Sequence, residues 1–126
     1  MKKQYILELK IDTLPSNQMN SRKSWRGNHK EGLQWDSIIH FHTIGKRPPQ
    51  PLRRAKLTLV RYSARSLDWD NLAATWKHPV DALVTCGILS DDAWSVIGLP
   101  TIDQGKAPMK AGYVTIRVEE IQDTMT

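Results

Sequence analysis

Between Leu67 and Trp94 the chain reads LDWDNLAATWKHPVDALVTCGILSDDAW, an amphipathic run with aspartates at both ends. Pro79 stands inside it. A proline in a helix interior removes a hydrogen bond and clashes with the preceding turn, so the run is expected to kink or to restart near His78, with Pro79 in the first turn of the second piece. If the next strand turns back beside that helix, Asp68 and Asp70 at its start and Asp91 and Asp92 past its end meet on one side of the fold. Carboxylate oxygens gathered that way make a site for a hard divalent cation.

Three of these acids have a simpler reading. Asp70 precedes Asn71-Leu72-Ala73-Ala74 and suits a helix N-cap, which leaves Asp68 without a role. Asp91 and Asp92 follow Gly87-Ile88-Leu89-Ser90 and suit a turn, where aspartate bonds its own backbone. If the segment from Ser66 to Trp69 is extended, Asp68 and Asp70 project to one side and Trp69 to the other.

The charge is unevenly spread. Residues 1–67 hold 14 Lys and Arg against 4 Asp and Glu, whereas residues 68–126 hold 4 against 9. Between Lys46 and Arg65 lie seven cations, Lys46, Arg47, Arg53, Arg54, Lys56, Arg61 and Arg65, and no acid. Such a run grips phosphates by releasing counterions, or it is a solvated basic face. Arg22, Lys23 and Arg26 form a smaller cluster where a helix would begin, and free backbone N–H groups there also favour anions. Of the five tryptophans, Trp69 between the acids is the best placed to stack on an unpaired base; core or dimer packing accounts for most of the others.

The order of these residues resembles the RusA family of Holliday-junction resolvases, whose pattern is roughly D-x-D-N-L, K, D-A-L, G and D-D. Here it reads Asp68, Asp70-Asn71-Leu72, Lys77, Asp81-Ala82-Leu83, Gly87 and Asp91-Asp92. The strong match covers residues 67–94. Lys77 stands seven residues after Asp70, three more than the family spacing. The resemblance implies an Mg²⁺-dependent endonuclease, Mn²⁺ serving as well, that hydrolyses phosphodiester bonds of branched DNA such as a four-way junction. It implies Asp68, Asp70 and Asp92 as metal ligands and catalytic groups with Lys77, and Asp91 and Asn71 in support. Arg22, Lys23, Arg26, Lys46, Arg47, Arg53, Arg54, Lys56, Arg65 and Trp69 would contact DNA. A homodimer would nick symmetry-related strands, since a two-fold assembly suits a two-fold substrate. A divalent ion held by carboxylates lowers the pKa of bound water and clamps the attacking and leaving oxygens. The alternative is a non-catalytic nucleic-acid-binding protein whose acidic site is degenerate.

The remaining chain supplies the frame. Tyr5 to Ile11 alternates as a strand, with Tyr5, Leu7, Leu9 and Ile11 on one face. A turn-rich stretch from Asp12 to Ser21 follows, including the Pro15-Ser16-Asn17 that resembles a loop of the same family. Lys23 to Thr43 is helical in outline, most clearly from Leu33 to Ile44 with Leu33, Ile38 and Phe41 or His42 in step, and Gly45 and the prolines after Arg47 end it. Arg54 to Tyr62 is a second strand, Trp94 to Leu99 a third, Gly105 to Gly112 a hairpin turn, and the alternation from Tyr113 to Glu120 a fourth. The expected order is strand, helix, strand, helix, strand, strand: an α+β fold with a mixed sheet of about four strands and two main helices, as one domain over residues 1–126. The sole cysteine, Cys86, allows no internal disulfide, and neither a secretion leader nor a bilayer-length apolar segment is present, so the expected setting is the cytoplasm.

Overall fold

The computed structural model describes residues 4–16 and 25–122. Its elements run β1 (Ile6–Ile11), α1 (Trp25–His42), β2 (Ala55–Ser63), α2 (Trp69–Ala74), α3 (Lys77–Thr85), α4 (Trp94–Ile97), β3 (Thr101–Lys106) and β4 (Tyr113–Glu120). The four strands form one sheet in the order β1-β4-β2-β3. β4 is antiparallel to both neighbours and β2 is parallel to β3, so the fold is α+β with a mixed sheet, as the sequence pattern predicts.

Alternation sets the register. Leu9, Ile116, Leu59 and Ile102 lie in one row across β1, β4, β2 and β3, and the first three are almost wholly buried. Slipping any strand by one residue would turn its apolar set to solvent, which is why the pattern tolerates one pairing. Trp35 and Ile39 of α1, Leu83 of α3 and Ile88 just beyond it close the same core.

Three expectations need correction. The buried stripe of α1 is Glu31, Trp35 and Ile39 rather than the row through Leu33 and Phe41, which are exposed. Gly32 lies where α3 crosses: a Cβ there would stand 3.3 Å from the His78 ring, so tertiary packing offsets glycine's poor helix propensity. Residues 94–99 are not a strand. Trp94–Ile97 forms one short helix closed by Gly98 at φ 57°, and the third strand begins after Pro100. Finally, β3 and β4 are not a hairpin, because β2 lies between them.

The amphipathic run breaks where proline requires. α2 ends at Ala74, and Val80 donates to the Trp76 carbonyl at 3.0 Å to open α3, with Pro79 in that first turn, where a missing N–H costs nothing. α3 closes at Gly87, φ 81°. Ile88 N–H bonds Leu83 O at 2.9 Å and Gly87 N–H bonds Val84 O at 3.1 Å, the paired bonds of a Schellman stop. Leu52 then donates to the Ile88 carbonyl at 2.8 Å and accepts the Ser90 N–H at 2.9 Å, fixing the approach to Asp91 and Asp92. Among the described residues no helix is long and apolar enough to cross a membrane.

Candidate functional site

Asp68, not Asp70, occupies the N-cap of α2. Its backbone is extended at φ −60°, ψ 156° and its side chain makes no capping bond; its carbonyl takes the Leu72 N–H at 2.8 Å. Asp68 accepts no hydrogen bond through its carboxylate from any described residue. The helix begins at Trp69, so Asp68 and Asp70 are not related by strand alternation as the sequence suggests. Asp70 sits in the first turn, where the helix dipole favours its charge, and among the described residues accepts only the Asn71 N–H, at 2.9 Å. Asn71 turns inward, its Oδ1 enclosed and without a donor among the described residues.

The segment before Asp68 is held from the sheet. Gln104 on β3 accepts the Leu67 N–H at 2.9 Å and donates to the Leu67 carbonyl at 2.8 Å. This residue carries no motif, and only the strand-to-loop contact reveals it.

At the other end of the run, Lys77, Asp81 and Asp92 line a cavity of about 210 Å³ floored by Leu59, Trp76 and Ile102. Lys77, the first residue of α3, pairs with Asp81 at 3.4 Å; both are exposed enough for the pair to be weak. Asp91 accepts the Asp92 N–H at 2.7 Å, the local turn bond expected of that pair. A side-chain hydrogen bond with Asp91 holds the Asp92 carboxyl above the usual carboxylate range, with burial and the charge of Asp81 adding to it. Crowded carboxylates with no cation between them behave this way.

The acids therefore fall into two groups: Asp68 and Asp70 at the start of α2, and Asp92 with Asp91, Asp81 and Lys77 beside α3. Their oxygens are the right donors for Mg²⁺ or Mn²⁺. As placed, no three or more His, Cys, Asp or Glu side chains among the described residues form a group that could hold a metal ion.

The cation run is divided as well. Lys46, Arg47, Arg53, Arg54 and Lys56 lie at or before the start of β2 and Arg65 lies beyond its end, all exposed; most of the length of β2, on the order of 20 Å of strand, separates the two sets. Arg47 is tied to Thr43 Oγ1 at 3.3 Å and to the His40 ring, and Lys56 to the Leu99 carbonyl at 3.4 Å. Arg26 is exposed near the start of α1; Arg22, Lys23 and Asn17 lie outside the described residues. Trp35 and Trp76 are core, whereas Trp69 is 81% and Trp94 74% exposed, each within two residues of an aspartate of the two groups.

No protein-family model matches this chain, and no curated protein matches it.

Proposed function

We propose that this chain is a metal-dependent endodeoxyribonuclease that hydrolyses phosphodiester bonds in branched DNA, the four-way junction foremost, as a cytoplasmic homodimer. The observation that carries the reading is the Asp68 carboxylate, held at a helix start by the Gln104 clamp on Leu67 and given no structural task there. A stabilising cap would use that side chain. Asp70 follows within the turn, and Lys77 and Asp92 face one cavity farther along the same run, in the order of the RusA-like pattern. In this reading Asp68, Asp70 and Asp92 are the ligands of Mg²⁺ or Mn²⁺, and the two acidic groups must close on each other for the ion to bind. Exposed cations at both ends of β2 give a DNA backbone more than one place to be held.

A second reading, a nucleic-acid-binding protein with a degenerate acidic site, draws on the Lys77–Asp81 pair and on the separation of the two acidic groups. One experiment divides them. Purified protein is incubated with a labelled four-way junction and with a linear duplex, in Mg²⁺, in Mn²⁺ and in chelator. Symmetric nicks in the junction that appear only with metal support the endonuclease. Tight junction binding with no cutting under any condition supports the binding protein and overturns the enzyme.

A further inference from the structure

One row across the inner face of the sheet is Ile11, Val114, Arg61 and Gln104, on β1, β4, β2 and β3. The neighbouring row, through Leu9, Ile116, Leu59 and Ile102, is wholly apolar. Arg61 thus stands where the pattern calls for a core side chain. Its Nε and Nη1 are enclosed and meet no acceptor among the described residues, and burial lowers its tendency to hold a proton, although a guanidinium stays charged in proteins. Val114 beside it offers no polar group. Gln104, beside it on β3, spends its carboxamide on the two backbone groups of Leu67.

A cation enclosed without a counter-charge destabilises a fold, and an unpaired buried donor calls for an explanation, a missing ion among them. Arg61 is half-buried rather than sealed, it is mounted on a central strand, and its planar fork matches two oxygens of one oxyanion. Its neighbouring strand, about 5 Å away, carries the Gln104 that clamps the residue before Asp68. We propose that Arg61, next to Gln104 on the sheet face, belongs to an oxyanion subsite that takes a phosphate group. The chemistry is that of a tetrahedral phosphate, free or in a nucleic-acid backbone; the backbone as its source rests on the endonuclease reading, and the subsite itself does not.

The test uses inorganic phosphate. Thermal unfolding of the full chain is followed in phosphate and in chloride at matched ionic strength, for the wild type, Arg61→Met and Arg61→Lys. A ligand that binds only the folded state raises its Tm, so the wild type should gain about 3 °C in phosphate, Arg61→Lys part of that, and Arg61→Met none. In chloride Arg61→Met should melt no lower than the wild type, since it removes an unpaired charge from the sheet face. A full phosphate gain in Arg61→Met overturns the proposal, as does a much lower Tm for it in chloride, which would make Arg61 structural. On the wild type alone, the Arg61 Nε–H nuclear magnetic resonance should move on phosphate addition, and a stationary signal also overturns it. A protein that passes these tests yet never cuts DNA refutes the endonuclease and keeps the subsite; one that cuts but shows no response at Arg61 does the reverse.

Discussion

Gln104 holds both backbone groups of Leu67, accepting its N–H at 2.9 Å and donating to its carbonyl at 2.8 Å. A strand side chain thereby imitates a neighbouring strand and fixes the exit from β2 one residue ahead of Asp68. Gln104→Leu keeps the volume and removes both bonds, leaving the two Leu67 groups half-enclosed. The expected loss is about 1–3 kcal/mol in urea unfolding. Junction cleavage should fall by more than the change in folded fraction explains, because Asp68 loses its fixed position. Unchanged cleavage would separate the clamp from the site.

Gly105 lies under an aromatic ring. A Cβ at that position would come within 2.7 Å of Tyr62 Cδ1, and Tyr62 is in turn stacked on Tyr113 at 4.5 Å with Lys10 over the far ring at 4.6 Å. The ladder ties the outer faces of all four strands together, and the edge strand β3 joins it only through its missing side chain. Gly105→Ala must push the ring aside and should cost about 1–3 kcal/mol, with the stack's near-ultraviolet dichroism reduced. Wild-type stability and an intact spectrum would show that the ring has room to move.

What the sequence revealed follows from how far each signal reaches. Leu9, Leu57, Ile116 and their partners alternate strictly, and a period of two with one buried face determines a strand and its register without help from elsewhere. Pro79 announces the break between α2 and α3 by its own covalent chemistry. β3 was invisible because Ile102 is its sole apolar inner-face residue, and its pairing depends on β2, about forty residues earlier. The inward face of α1, Glu31, Trp35 and Ile39 rather than Leu33 and Phe41, depends on packing against α3, which crosses at Gly32. In the site, aspartates and lysine are conspicuous by type. The clamp of Gln104, the orphaned position of Arg61 and the grouping of Asp92 with Asp81 arise from tertiary adjacency, which no local pattern encodes.

Asp92 carries a pH signature. Its carboxyl titrates above the unfolded value of 3.8, chiefly through the Asp91 hydrogen bond. In the window between those two values the folded state binds more protons than the unfolded one, so stability falls as pH rises through it. Asp92→Asn removes that liability. Its Tm should exceed the wild-type value near pH 7, and the difference should vanish as pH falls below 3.8, which a series of melts would show. Divalent metal added at pH 7 should narrow the same gap by neutralising the wild-type pair. A variant less stable than wild type at every pH would mean that the Asp91–Asp92 contact supports the fold.

Under the proposed endonuclease reading, Asp70 offers the cleanest division between holding DNA and cutting it. Its carboxylate is exposed and among the described residues bonds only the N–H of Asn71, so Asp70→Asn loses little beyond a favourable charge at a helix start, about a few tenths of a kcal/mol. Asparagine keeps the shape and the local bond but lacks the anionic oxygen that a hard cation requires. If Asp70 is a ligand, junction cleavage in Mg²⁺ should drop on the order of 100-fold. Binding in chelator should hold or tighten, because one negative charge beside the phosphate backbone is gone while the cations of β2 are untouched. Gel shifts and cleavage on the same labelled junction read both quantities. Cutting at the wild-type rate would remove Asp70 from the site, and matching losses of binding and cutting would assign it to the DNA surface instead.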